Sequence, residues 1–374
     1  MSAKSHPRDA YAAAGVDYDK LDRGKRLAQS EAQATALSLR ARGYGEIAES
    51  RGESAYVVDI GDAFITTVTE ALGTKNLIAD AVRPLTGKSH YDAIAQDTVA
   101  TILNDLATVG GVPLSLTAYW GAGSSEWFSD EERMTDLTTG WARACASAGC
   151  SWGGGETQTI TGIIEPGALN LAGAAVGIVR PKGKLLIGSR IQPGDAILMA
   201  PSTGLHANGA TLARKIAREH AQGYAAKIPG DPEGRSYGEV LLDATPLYGP
   251  LVEAVQGWDL DLHYAVHVTG HGLRKLMRAD IALSYVVEEL LPVPPIFRFM
   301  CQEARMSDEE AYGTFNMGAG FALFLPKAQV ADALLAAKSV GFQLAYVGHT
   351  EPGPRKVELK PLGITFEGSS LQIR

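Results

Sequence analysis

Cysteine is almost missing from this chain: three residues among 374, at positions 145, 150 and 301. The odd count and the lack of any paired metal-type spacing argue against a disulfide framework and a thiolate metal centre. Positive charge is not in excess either. The 34 Lys and Arg stand against 42 Asp and Glu, a net charge of −8. Nucleic acid and anionic membrane surfaces are therefore disfavoured as main partners, and any phosphate ligand must be held by local lysines, backbone amides or a metal. No uninterrupted apolar stretch approaches the roughly 20 residues that a membrane span needs. The opening Met1-Ser-Ala-Lys-Ser-His6 has no apolar core of signal-peptide length, so the expected compartment is a reducing cytoplasm. Internal repeats and low-complexity tracts are absent, as is a Ser/His/Asp set with persuasive triad spacing.

What is present suits an ordered protein of two domains. The composition is 45% hydrophobic and 20% charged, and its 42 glycines are spread as tight turns rather than gathered into a linker. Lys20 to Arg42 carries a helical pattern. Strands are expected at Ala55–Val58 and Ala63–Thr69, joined by a hairpin-type Asp59-Ile-Gly-Asp62, and again at Leu114–Trp120 and Asn170–Val179. Helices are expected over His90–Val109 and over Asp136–Ala148, the second stopped by Gly149, with Cys145 and Cys150 packing as small hydrophobes. The basic turn Arg180-Pro-Lys-Gly-Lys184 is a plausible boundary, giving domains of residues 1–180 and 181–374. Ile228–Arg235 reads as a surface loop and Leu291-Pro-Val-Pro-Pro295 as a rigid break.

Three groups of residues carry chemistry. Pro201-Ser-Thr-Gly-Leu-His-Ala-Asn-Gly209 lies between an apolar run, Asp195–Ala200, and a helical pattern from Ala210 to Ala221. Such a turn either faces an anion, with Ser202, Thr203, His206 and Asn208 beside helix-opening amides, or simply caps the helix. Gly153-Gly-Gly155-Glu156-Thr157 sets three costly glycines before a carboxylate, a pattern seldom kept for packing. Asp59, Asp62, Glu70, Asp97, Asp105 and Glu156 are candidate metal carboxylates, of which Mg²⁺ needs one or two. The eight-residue spacing of Asp97 and Asp105 puts both on roughly one helix face. An exposed Lys75 after Gly73-Thr74 is by default solvated, and each histidine beside a glycine turn has a structural reading as well.

In order along the chain, Gly73-Thr-Lys75, Asn104-Asp105-Leu106, Gly153-Gly-Gly-Glu-Thr157, Gly204-Leu-His-Ala-Asn-Gly209, His267-Val-Thr-Gly270 and Thr314-Phe-Asn-Met-Gly318 closely resemble AIR synthetase, the phosphoribosylformylglycinamidine cyclo-ligase family. The resemblance runs from Tyr11-Ala-Ala-Ala-Gly-Val-Asp17 through Leu241-Leu-Asp-Ala-Thr245 to Asn316. It implies an α+β chain whose N-terminal sheet-plus-helices domain binds ATP and pairs in a homodimer, and whose C-terminal α/β sandwich domain holds the phosphoribosyl substrate. By that resemblance Lys75, Glu156, His206 and Asn316 are catalytic. Gly73, Thr74, Lys75, Asn104, Gly154, Gly155 and Thr157 bind ATP. Ser202, Gly204, His206, Asn208, His267 and Thr269 hold the substrate, and Glu70, Asp105 and Asp62 hold Mg²⁺. The implied reaction phosphorylates a formyl amide so that an amidine nitrogen closes an imidazole ring. The chain departs from the family pattern where Asp-Gly-Val-Gly-Thr-Lys becomes Glu70-Ala-Leu-Gly-Thr-Lys75, where Thr159-Ile-Thr-Gly162 follows the Gly-Gly-Glu-Thr stretch, where the early glycine-rich loop shrinks to Gly43-Tyr-Gly45 and Gly52, and where His271 replaces a glycine.

Overall fold

The computed structural model describes residues 18–371; the resemblance at Tyr11–Asp17 lies outside them. The first half builds a six-stranded sheet from β1 (Gly45–Glu46), β2 (Tyr56–Asp59), β3 (Phe64–Ala71), β4 (Val112–Ala122), β5 (Ser151–Thr159) and β6 (Leu169–Val179), in the order β1-β2-β3-β6-β4-β5. The second half builds a seven-stranded sheet from β7 (Asp195–Pro201), β8 (Tyr264–His267), β9 (Leu283–Val287), β10 (Ala319–Pro326), β11 (Ala345–Pro352), β12 (Lys356–Leu359) and β13 (Ile364–Glu367), in the order β13-β12-β9-β11-β7-β10-β8. Helices α1 (Tyr18–Ala34), α2 (Leu37–Arg40), α3 (Asn76–Thr86), α4 (Tyr91–Ala107) and α5 (Glu131–Ser147) belong to the first half. Helices α6 (Ala210–Glu219), α7 (Tyr237–Leu241), α8 (Gly249–Gly257), α9 (Pro295–Ala304), α10 (Asp308–Tyr312) and α11 (Val330–Ser339) belong to the second.

The long N-terminal helix anticipated over Lys20–Arg42 is two pieces. It breaks at Thr35, whose hydroxyl donates to the Ala32 carbonyl at 2.6 Å and competes with the helical ladder. Helix α5 starts five residues earlier than its apolar pattern, because the Asp130 side chain accepts from Arg133 N and caps it. The glycine-rich Gly153–Thr157 is part of β5, an edge strand parallel to β4. Packing does demand glycine at position 155, where a Cβ would stand 2.0 Å from the Ala118 carbonyl oxygen.

The element that positions the site is α4. Fourteen of its 17 residues are buried, so it is apolar or satisfied all round rather than one-faced. On one side it packs against β3, β4, β6 and α5, and on the other against α8 and β8 of the second half. Asp97, Asn104 and Asp105 sit on that second side. Asp97 accepts from Thr245 N at 2.8 Å and Thr245 Oγ1 at 2.5 Å, and Asn104 accepts from Tyr248 N at 2.7 Å while donating to the Pro246 carbonyl at 2.9 Å. Buried amides and carboxylates must be paired, and here each pair stitches one half of the chain to the other.

Candidate functional site

A cavity of about 280 Å³ opens on the seam between the halves. Glu70 at the end of β3 and Thr101 and Asp105 on α4 reach it from one side. Asn208 from the turn before α6, and Thr269, His271, Lys275 and Arg278 from the segment after β8, reach it from the other. Four of the anticipated residues, Glu70, Asp105, Asn208 and Thr269, are thus brought together from positions up to about 200 apart in sequence.

Electrostatics in this cavity are dominated by burial. The Glu70 carboxyl is pushed up to about 7 by desolvation and by the neighbouring Asp105 charge, against the pull of Lys275. Desolvation pushes the Lys275 ammonium down to about 8, although Asp105 and Glu70 both favour its charge; the ammonium donates to Thr269 Oγ1. Asp105 lies beside His267, with Oδ1 at 2.7 Å from Nδ1. Burial alone would raise Asp105, but the imidazole and the Lys275 and Arg278 cations hold it below the usual carboxylate range. His267 is pushed down, chiefly by burial. The pair therefore reads as a carboxylate accepting from a neutral imidazole, which fixes the ring's tautomer.

Other anticipated residues support the cavity from behind. Lys75 is fully buried, its ammonium 2.6 Å from Asp97 Oδ2 and donating to the Asp243 carbonyl at 3.1 Å. It is an interdomain tie and not a solvated lysine. Gly73 and Thr74 form the turn ahead of it, and Thr74 Oγ1 lies 3.3 Å from Thr211 Oγ1 on α6. Asn316 braces the turn that precedes α6: its Oδ1 accepts from Ser202 Oγ at 2.8 Å and Gly318 N at 3.0 Å, and its Nδ2 donates to the Gly204 carbonyl at 2.9 Å. Gly209 ends that turn at φ 103, and a Cβ there would meet Leu205 at 2.6 Å and Phe315 at 2.8 Å. His206 is buried in the same turn, with no hydrogen-bond partner for either ring nitrogen among the described residues. Desolvation, with help from His267 and Lys75, pushes it well below the ordinary histidine range, so it is a neutral ring.

Two groups stand apart. Asp62 is at the β2–β3 turn, exposed and 2.5 Å from Arg180. Eight residues of extended chain, about 26 Å, separate it from Glu70. Glu156 is exposed on β5 with Gly154, Gly155 and Thr157. Across the sheet Glu70 is in register with Gly173 and Ala118, whereas Glu156 shares its row with Tyr119, Ala172 and Ala71. Adjacent rows point to opposite faces. Glu70 therefore faces α4 and Glu156 the open face, about three strand spacings or 14 Å along the sheet.

Sequence reading had missed Lys275, Arg278 and Glu53 as cavity residues. The run Arg274-Lys275-Leu-Met-Arg278 directly after His267–Gly270 was the available signal. Among the described residues no cluster of three or more His, Cys, Asp or Glu side chains is arranged to hold a metal ion. Glu70 and Asp105 alone suit a hard cation that takes one or two carboxylates and completes its shell with water and phosphate oxygens. No helix of the described residues is long and apolar enough to cross a membrane.

Two sheets joined by a buried helix, with glycine turns and a mixed-charge cavity on the seam, define an AIR synthase related protein. The chain matches the N-terminal domain of that type over residues 52–179 and the C-terminal domain over residues 192–360. It is 33% identical to the phosphoribosylformylglycinamidine cyclo-ligase of Carboxydothermus hydrogenoformans, across 93% of this chain and 97% of that one. It is 34% identical to the enzyme of the same name from Thermococcus kodakarensis, across 87% and 90%. The chain belongs to the phosphoribosylformylglycinamidine cyclo-ligase family. Solved structures share the fold: HypE in a HypE–HypF complex (TM-score 0.59, 19% identity, 84% of this chain and 92% of that one), and a thiamine-monophosphate kinase from Stenotrophomonas maltophilia (TM-score 0.57, 21% identity, 82% and 88%).

Proposed function

We propose that this chain carries out the ATP-dependent ring closure of phosphoribosylformylglycinamidine to aminoimidazole ribonucleotide in the cytoplasm. The observation that carries the reading is the meeting of Glu70, Asp105, Asn208 and Thr269, residues of four separate family motifs, in one cavity between the halves. The formyl amide oxygen takes the γ-phosphoryl group of ATP, releasing ADP. The amidine nitrogen then attacks the activated carbon and phosphate departs with that oxygen. Since an amide oxygen leaves poorly, phosphorylation lowers the barrier, and the rest is positioning: holding both ends of one molecule together replaces an encounter in solution.

This chain's residues divide that work. Asn208 and Thr269 hold the substrate, with the Ser202–Gly204 turn kept in shape by Asn316. His267, oriented by Asp105, and His206 present neutral rings beside them. Lys75 acts as a positioning residue that locks α4 to the Asp243–Thr245 loop, while Gly73, Thr74 and Asn104 set the floor of the nucleotide side. Glu70 and Asp105 would hold Mg²⁺, which supplies neutralisation of the transferring phosphoryl group. Gly154, Gly155, Glu156 and Thr157 face away from this cavity, so they would reach only the ATP of a second copy paired on the open sheet face. There Val112, Leu114 and Val176 are also exposed, a surface that suits pairing with a second copy.

The test is Mg²⁺-dependent ADP release with and without phosphoribosylformylglycinamidine, followed together with the imidazole product. Equal amounts of ADP and imidazole support the reading. ADP release indifferent to this substrate points instead to an ATP-dependent enzyme acting on another small metabolite, a reading favoured by the departures at Glu70 and His271, which share the cavity. No release with any substrate points to a silent nucleotide-binding protein.

A further inference from the structure

His271 occupies a backbone position that side chains avoid. Its φ is 70°, in the left-handed region that glycine adopts freely and other residues hold only when their surroundings compel it. Strain of this kind collects at functional sites, and here it lies on the wall of the cleft cavity, next to Thr269 and one turn before Lys275. The cavity itself narrows the choice of ligand. Its described lining contains three carboxylates, from Glu53, Glu70 and Asp105, and three cations, from Lys25, Lys275 and Arg278. It has one aliphatic side chain, Leu371, and no phenyl or indole ring. A purine base needs an apolar or aromatic slot to be held by stacking, and this wall offers none. A small, highly polar, phosphate-bearing molecule fits both the mixed charges and the roughly 280 Å³ of space.

We propose that His271 is a specificity-determining residue that closes one wall of this cavity and hydrogen-bonds the small substrate rather than ATP. The inference rests on the cyclo-ligase reading and deepens it. Burial, helped by Arg274, Lys275, Lys25 and Arg278, pushes the His271 imidazole down to about 3. At neutral pH the ring is therefore uncharged and adds no fourth positive charge to this wall. A neutral acceptor suits the nitrogen-rich amidine end of phosphoribosylformylglycinamidine, which a further cation would repel.

The test is steady-state kinetics and thermal melting of His271→Gly and His271→Asn beside the wild type. His271→Gly keeps the backbone conformation without strain, so its melting temperature is expected not to fall. Its KM for phosphoribosylformylglycinamidine is expected to rise about tenfold, the upper range for one lost hydrogen bond, with kcat within about threefold and the KM for ATP unchanged. His271→Asn tolerates the left-handed region and keeps a donor and an acceptor, so it is expected to restore most of the lost KM. An unchanged substrate KM in His271→Gly, a shift in the ATP KM instead, or a fall in its melting temperature overturns this inference while leaving the cyclo-ligase reading intact. Absence of ring closure by the wild-type protein overturns both.

Discussion

Glu70 and Glu156 belong to one sheet, three strands apart, yet they live in different media. Glu70 is on the face that α4 covers, where burial and Asp105 lift its carboxyl to about 7. Glu156 is exposed on the uncovered face of an edge strand. The contrast teaches that a carboxylate's chemistry is set by which side of the pleat it points to, a parity of one residue, and not by the motif that surrounds it. The covered face is built to hold charge in a dry place; the open face is built to be met by something else.

The most forceful way to break the covered face is Lys75→Met, which leaves the Asp97 carboxylate buried without its cation. Removing one partner of such a pair costs about 3–5 kcal/mol, so the urea midpoint is expected to drop sharply, with activity lost alongside stability. A gentler change is Glu70→Asp, which shortens the carboxylate by one methylene. The Mg²⁺ concentration for half-maximal activity is expected to move about tenfold with little change in melting temperature; an unchanged Mg²⁺ dependence would remove Glu70 from the metal site.

His263 asks whether burial away from the cleft has the same effect. It lies 2.7 Å from Asp195 and 3.1 Å from Asp261, and the Asp195 hydrogen bond, opposed by burial, raises its pKa above the ordinary value. A folded pKa above the unfolded one gives stability that is fully present below about pH 6.5 and is lost as pH rises through the folded value. Denaturant titrations from pH 5.5 to about pH 8.5 should show a steeper decline in the wild type than in His263→Gln, because the raised Glu70 carboxyl adds the same slope to both. Smallest of all, Asp62→Ala breaks only the exposed Arg180 pair and should change stability by less than about 0.5 kcal/mol with no effect on Mg²⁺ dependence. A loss of Mg²⁺ dependence there would return Asp62 to the site.

Much of this was readable in the residues. The switch from the apolar run Asp195–Ala200 to the spacing of Leu212, Ala213 and Ile216 located β7, its turn and α6, because a short continuous apolar run bounded by turns and a 3.6-residue spacing are different signals. The eight-residue step from Asp97 to Asp105 put both on roughly one face of α4, and the structure shows that face meeting Thr245 and His267 of the second half. The opposite facings of Glu70 and Glu156 were not readable. They depend on strand pairing and on register shifts in β4 between Pro113 and Ser115 and between Leu116 and Ala118, and a bulge resets alternation without leaving a residue signature. Burial of Lys75 was hidden for a related reason, since its partner Asp97 is 22 residues away on another helix. Lys275 and Arg278 belong to none of the motifs, and only the fold brings them into one cavity with Asp105.

Helix α4 has one further consequence. Its ties to Thr245, to Pro246 and Tyr248, and to His267 cross from one sheet to the other at three levels along its length. The two halves cannot swing apart without breaking all of them in the same moment. A chain cut in the segment between residues 179 and 195 should therefore yield fragments that are insoluble alone and recover a native fold when mixed, because the surface each would expose is the other's interior. Substrates are then expected to come and go through the mouth of a standing cleft rather than by the opening of a jaw.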